Sequence, residues 1–362
     1  MKAAVMRATG QRMEIEDISI SKPQGREVLV RMQAVGVCHS DLHVLTGDFP
    51  FPLPAVLGHE AAGIVEQVGP EVRHVKPGDR VIVCLTFHCG HCEQCDSGNS
   101  HRCYPPEANR APDVPQRLFK GAESFAPFMS MGAFAEQMLV HDSGCVVIHP
   151  DMPFDRACLI GCGVTTGFGA AVRTAAVKTG ESVVVIGCGG VGLSAINGAA
   201  IAGAGRIIAV DRAATKFAMA RQFGATDTVD ASAGNVVEQI MEMTGGRGVD
   251  HAIECIGLKQ TIEDAFNMLA KGGTATVVGM APYGTNIELP GLAFLREKKI
   301  QGSMMGGVRT TIDIPRYCDL YMRGRLKLDE LISCRRPLSE INEAFDDMKK
   351  GELARSVLMF DA

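Results

Sequence analysis

The sequence predicts an α/β protein of two units, a β-barrel followed by a doubly wound parallel sheet. Three observations lead there. From Ser182 to Val278 apolar strands alternate with helical stretches, and strands apolar on both sides belong to a parallel sheet covered on both faces. Before about residue 150 the runs are strand-length and punctuated by Gly and Pro. At 362 residues the chain has room for about two domains.

Taken in order, Glu27–Met32, Gly63–Val68 and Arg80–Val83 read as strands. Turn signals at Lys22-Pro23, Val68-Gly69-Pro70 and Lys76-Pro77-Gly78-Asp79 separate them. The stretch Tyr104 to Ala133 spans 30 residues, Pro-rich at first and not core-like, as a functional long loop would be. Gly161 to Val177 reads as a helix with small residues. Then follow strand Val183–Ile186, a helix to Ala202 and strand Arg206–Asp211. Helix Thr215–Phe223, strand Asp227–Val229 and helix Val236–Met243 continue the pattern. Strand Val249–Cys255, helix Thr261–Leu269 and strand Thr274–Val278 complete it. From about Gly306 the pattern is mixed again.

Composition narrows the function. A net charge of −5 argues against a broad basic face, and no Trp with only 4 Tyr argues against a base-stacking platform. No nucleic-acid partner is expected. No apolar run reaches about 18 residues, so no membrane span is expected. An odd count of 13 Cys without an apolar leader does not read as a disulfide framework. It reads as reduced thiols in a cytoplasmic protein, some binding metal.

Gly187-Cys188-Gly189-Gly190-Val191-Gly192 is G-x-G-x-x-G between a β-branched strand and a helix. Gly187 makes the tight turn, Gly189 lets the backbone reach a pyrophosphate, and Gly192 lets helix and strand pack closely. Asp211 ends the next strand 19 residues on and offers its carboxylate to ribose hydroxyls. This is the signature of a Rossmann unit that binds a dinucleotide.

Cys89, Cys92, Cys95 and Cys103 are spaced C-x2-C-x2-C-x7-C. Four thiolates so close together close a tetrahedral zinc site with no open position, which makes it structural. An iron–sulfur cluster fits the spacing less well. Upstream, Cys38, His39 and His43 lie within six residues, and Gly58-His59-Glu60 and Gly161-Cys162-Gly163 bring further soft ligands on Gly-flanked loops.

With these motifs in place, and with G-H-E-x2-G-x5-G-x2-V complete from Gly58 to Val72, the chain resembles the zinc-dependent medium-chain alcohol dehydrogenases over its whole length. The resemblance implies a GroES-like catalytic domain from 1–163, to which 305–362 returns, and a Rossmann NAD-binding domain from 164–304. It implies two zinc ions per subunit. Cys38, His59 and Cys162 would ligate the catalytic one, a Cys2His set, with Glu60 near the metal and Asp41 orienting His59. Ser40 and His43 match the ends of a proton relay. His39 and Arg355 match pyrophosphate contacts, Lys216 a ribose-side lysine, and Thr166, Gly190, Val191 and Arg212 complete the cofactor set. The other cysteines match no ligand position.

The implied reaction is reversible hydride transfer between a small alcohol and NAD+, in the cleft between the domains. Phe49, Leu85, Phe134, Met280 and Met304 match substrate-pocket positions and contain no cation. They suggest an apolar medium-sized or aromatic primary alcohol. A glutathione-dependent formaldehyde dehydrogenase, the alternative, carries charged residues for the glutathione carboxylates, whereas Thr46–Pro54 is mostly apolar. A zinc-free quinone reductase would lack the ligands present. The family pairs subunits through the coenzyme domain, so a homo-oligomer is expected, and the length of Tyr104–Ala133 matches dimeric relatives, which favours a dimer over a tetramer.

Overall fold

The computed structural model describes residues 1–351 and 354–360. The chain divides into two units, residues 1–162 with 309–362, and residues 163–308.

The first unit is a barrel of mostly antiparallel sheets, GroES-like as expected. Its central strand, Glu27–Gly36, is buried at eight of ten positions. It pairs with Glu60–Val68, Gln137–His141 and Arg355–Met359. Register decides what meets at its end: Gly36 faces Glu60 on one side and Val357 on the other. A second sheet runs from Glu14–Asp17 through Lys2–Met6, Ala55–Val56, Glu123–Pro127 and Leu118–Lys120 to Ser19–Ile20.

The stretch 104–133 corrects the sequence reading. It supplies two of those strands and buries Leu118, Phe125, Phe128 and Met131. Its early Pro-rich composition masks an apolar second half.

The second unit has six strands: β1 (Ser182–Ile186), β2 (Arg206–Asp211), β3 (Asp227–Asp230), β4 (Val249–Glu254), β5 (Leu269–Val277) and β6 (Lys299–Gly302). All pair in parallel in the order β3-β2-β1-β4-β5-β6. The order reverses between β1 and β4, and ligands of such sheets sit in the crevice beyond the strands' carboxyl ends there. Helix α1 (Gly190–Ala202) follows β1 and stops at Gly203, whose φ is +86°. Residues 305–308 lie with this unit, not the first. Arg173 Nε donates to the Gly307 carbonyl at 2.7 Å, and Gly306 packs so closely on Gly169 that no Cβ fits.

Among the described residues one helix, Phe154–Thr174, is long and apolar enough to cross a membrane, but most of it is buried in the protein interior. Its Gly161 lies where a Cβ would stand 2.8 Å from the Val83 carbonyl, so the helix presses on the barrel and delivers Cys162.

Candidate metal centres and dinucleotide crevice

The buried cluster is assembled by one carboxylate. Cys38 precedes the helix His39–Thr46 in extended conformation. Asp41, fully buried in that helix, accepts from the Cys38 N–H at 3.3 Å and the Gly58 N–H at 2.9 Å, and pairs with His59 Nδ1 at 3.1 Å. Two loops distant in sequence are thereby tied together. Gly58 has φ +92°, and a Cβ there would meet the Phe134 backbone at 2.7 Å, so the turn before His59 requires glycine. Ligand atoms of Cys38, His59, Glu60 and Cys162 all lie within 4.8 Å of one another.

The electrostatics fit a cation. His59 Nε2 is buried and has no hydrogen-bond partner. Burial resists a proton on His59, but Asp41 and Cys38 outweigh it and raise its pKa well above the usual range. The Cys162 thiol and His59 hold Cys38 well below the usual thiol pKa despite burial. Burial pushes Glu60 up to about 7, although Arg355, 3.4 Å away, pulls the other way. A buried cluster of two sulfurs, a partnerless imidazole nitrogen and a carboxylate is a donor set for zinc.

The four-cysteine lobe gives a sharper test. Cys92 Sγ lies 3.6 Å from Cys95 Sγ and 3.7 Å from Cys103 Sγ, which lies 3.7 Å from Cys89 Sγ. A tetrahedron with Zn–S bonds of about 2.3 Å has edges of about 3.8 Å. A disulfide would need about 2.05 Å. The Cys95 N–H pulls Cys92 down to about 7, while burial and the neighbouring sulfurs push Cys103 up to about 12. Four sulfurs this close cannot all be thiolates without a cation among them.

In the second unit the Gly-rich loop behaves as its residues demand. Gly187 has φ +96°, and a Cβ on Gly192 would lie 1.7 Å from the Gly187 carbonyl. Gly189 is exposed, with nothing within 4 Å of a Cβ placed there, so the loop leaves open space over its backbone. Gly190 opens α1 and Val191 follows it. Asp211 is more engaged than the sequence implied. Its Oδ2 accepts from the Cys188 N–H at 2.7 Å and its Oδ1 from the Ala213 N–H at 2.9 Å, with Lys216 Nζ at 3.4 Å. Oδ1, with one donor, keeps a second lone pair for a ribose hydroxyl. Arg212 is exposed beside it. Thr166 turns its hydroxyl to Met305 Sδ at 3.3 Å.

Known proteins agree with this geometry. Residues 24–151 match the alcohol dehydrogenase GroES-like domain, and residues 190–321 match the zinc-binding dehydrogenase domain. The S-(hydroxymethyl)glutathione dehydrogenase of Saccharomyces cerevisiae is 40% identical, covering 99% of this chain and 96% of that protein. The chain belongs to the zinc-dependent medium-chain alcohol dehydrogenases. The NDMA-dependent alcohol dehydrogenase of Amycolatopsis methanolica is 38% identical, over 100% of this chain and 99% of that one. Among solved structures, benzyl alcohol dehydrogenase from Acinetobacter calcoaceticus has a TM-score of 0.93 at 33% identity, covering 99% of both chains. As a member of this family the protein is an oxidoreductase acting on CH–OH donors, with zinc and a nicotinamide dinucleotide as cofactors.

For such an alcohol dehydrogenase the remaining residues fall as follows. Ser40 Oγ is 3.9 Å from Cys38 Sγ. His43 is about one-third exposed and pairs through Nδ1 with Asp48 at 3.3 Å. His39 is exposed at the start of its helix. Arg355 is 4% exposed and lies 3.4 Å from buried Glu60, a pairing that strand register brings about. Phe134 is fully buried in the barrel core, edge-to-face with Phe345, and packs under Gly58. Leu85 is half-buried against the same core and Phe49 is exposed. Met280 and Met304, in the second unit, are both exposed. The ring beside His59 is Phe128, which the sequence reading missed. Its centroid is 5.7 Å from the imidazole at an interplanar angle of 80°. Phe128 lies 69 positions from His59, and no motif marks it.

Proposed function

We propose that the enzyme oxidises apolar, medium-sized or aromatic primary alcohols with NAD+, reversibly. The observation that carries this is the aromatic surrounding of the metal cluster. Phe128 abuts His59, Phe51 abuts Phe128 at 5.2 Å, and Leu42 and Leu85 pack nearby on the same core. The structural likeness to a benzyl alcohol dehydrogenase supports the reading. Cys38, His59 and Cys162 would hold zinc, which would supply Lewis acidity that favours the deprotonated alcohol, and the bound dinucleotide would supply the hydride acceptor. The Ser40 hydroxyl takes the alcohol's proton as it releases its own onward. His43, oriented by Asp48 and open to water, passes the proton to solvent. Asp211 favours NAD because a 2′-phosphate would meet its carboxylate. The glutathione-dependent alternative is supported by the name of the yeast relative.

We place the protein in the cytoplasm as a homodimer. Support for the dimer lies in β6, an edge strand beside which Leu292, Phe294 and Leu295 stand 68%, 48% and 82% exposed. A steady-state series from ethanol to octanol, with benzyl and cinnamyl alcohol, tests the substrate. Each buried methylene is expected to raise kcat/KM about fourfold until the pocket is full. Highest activity with ethanol, or activity only with added glutathione, overturns the proposal.

A further inference from the structure

His59 is held by a single hydrogen bond from its Nδ1 side, to Asp41 at 3.1 Å. One such bond fixes a point on the imidazole but leaves the ring free to tilt about the N···O axis. Coordination through Nε2 needs the metal in the ring plane, along the nitrogen lone pair, so a tilt weakens it. Something else must set the plane.

We propose that Phe128 is the positioning residue that sets it, acting through His59 and held in turn by a buried ionic network that begins at Glu27. The inference rests on the reading of Cys38, His59 and Cys162 as a zinc site.

Four observations carry it. Phe128 stands nearly perpendicular to the imidazole, at 80° and 5.7 Å, while Phe51 stands at 90° and 5.2 Å from Phe128. Phe128 is 3% exposed, so its ring cannot swing away without opening the core. The backbone after it is unusual: Met129 and Ser130, neither of them glycine, have φ of +51° and +61°. Side-chain-bearing residues hold that conformation only where the surroundings over-determine it, and such places cluster at functional sites. Finally, the determinant is visible. Arg117 Nη1 donates to the Ser130 carbonyl at 3.3 Å, and Arg117 Nε donates to Glu27 Oε1 at 2.9 Å. Arg110 fastens the same carboxylate at 2.9 and 2.6 Å. The Met131 and Gly132 N–H groups close the turn on the Phe128 carbonyl at 2.9 and 3.2 Å. A chain of contacts therefore runs from Glu27 through Arg117 and the strained turn to the Phe128 ring and the zinc ligand.

If Phe128 only fills space, Leu should replace it with some loss of stability and no effect on the metal. The test is zinc transfer from the holoenzyme to a chromophoric chelator, with zinc content per chain measured beforehand and Cys38→Ser marking which zinc is which. In Phe128→Leu one zinc is expected to leave about tenfold faster, the size of effect seen when a partner of a metal ligand is lost. The four-cysteine zinc should leave at the wild-type rate. Phe51→Leu, at a half-buried and better tolerated position, is expected to speed the same zinc about threefold. It decides the matter if Phe128→Leu does not fold. Cobalt substitution gives a second readout, with the visible bands of the faster-leaving site shifted in both variants. Two zincs per wild-type chain with unchanged release in the folded variants overturn the proposal alone. One zinc per wild-type chain, unaffected by Cys38→Ser, overturns the zinc-site reading and the proposal with it.

Discussion

Replacing Glu27 by Gln removes one charge from the barrel with almost no change in volume. The Glu27 side chain is 8% exposed and faces Arg110 and Arg117, whose side chains are 5% and 3% exposed. Arg110 binds both carboxylate oxygens, Arg117 binds one, and the Gln24 N–H adds a fourth bond at 2.9 Å. Glutamine would leave two buried guanidinium groups without a counter-charge and point its own N–H groups at theirs. The neighbouring acceptors, the Ser130, Pro115 and Lys22 carbonyls, are already engaged and carry no charge, and Arg117 Nη2 is buried without a partner. Breaking a buried pair from one side costs about 3–5 kcal/mol. For a unit of this size that is a fall in Tm of about 6–20 °C. The exposed pair Arg12–Glu343, with side chains 62% and 49% exposed, supplies the comparison. Its Arg12→Gln variant should lose less than about 1 kcal/mol. Urea unfolding monitored on the first unit measures both. The pH dependence has a definite sign. Burial works against ionisation of Glu27, yet Arg110 and Arg117 win and hold its carboxyl below the usual range. Its contribution is therefore complete above the unfolded value of about 4.3 and disappears as pH falls through the lower folded value. The gap between wild type and Glu27→Gln should be full at neutral pH and close in acid. A Glu27→Gln loss no larger than that of Arg12→Gln, or a gap independent of pH, would refute the argument.

Two further predictions concern the dinucleotide loop. Gly192→Ala puts a Cβ 1.7 Å from the Gly187 carbonyl and should destabilise the second unit by about 1–3 kcal/mol, whereas Gly189→Ala meets nothing and should melt as wild type while raising KM for NAD about tenfold or more. Equal Tm losses in the two variants would show that the space over Gly189 is not the cofactor's. Asp211→Ala should weaken NAD binding about 10–100-fold without creating efficient use of NADP, because it also releases the Cys188 N–H that shapes the loop. A variant whose kcat/KM with NADP matched the wild-type value with NAD would remove that role.

Sequence alone determined what short-range chemistry determines. The strand Arg206–Asp211 and the helix Val236–Met243 lie where the apolar periodicity puts them, because each needs only its own residues and a covering layer. The helix read from Thr261 to Leu269 begins instead at Lys259 and ends at Asn267, since Leu269 joins β5 beside Val249. The G-x-G-x-x-G loop is legible because the turn at Gly187 and its closeness to Gly192 are settled within six residues. The four cysteines are legible because 15 residues of chain close them. The Cys38, His59 and Cys162 set came from family resemblance, as no spacing rule joins Cys38 to a residue 124 positions away. Only the tertiary structure could pair Arg355 with Glu60, a meeting set by the register of three strands around Gly36. Only it could join Glu27 to Arg110 and Arg117, 83 and 90 residues on, or lay Phe128 against His59. Local periodicity records which face of an element is buried. It does not record which partner from elsewhere in the chain arrives on that face, and in the first unit that arrival builds the site.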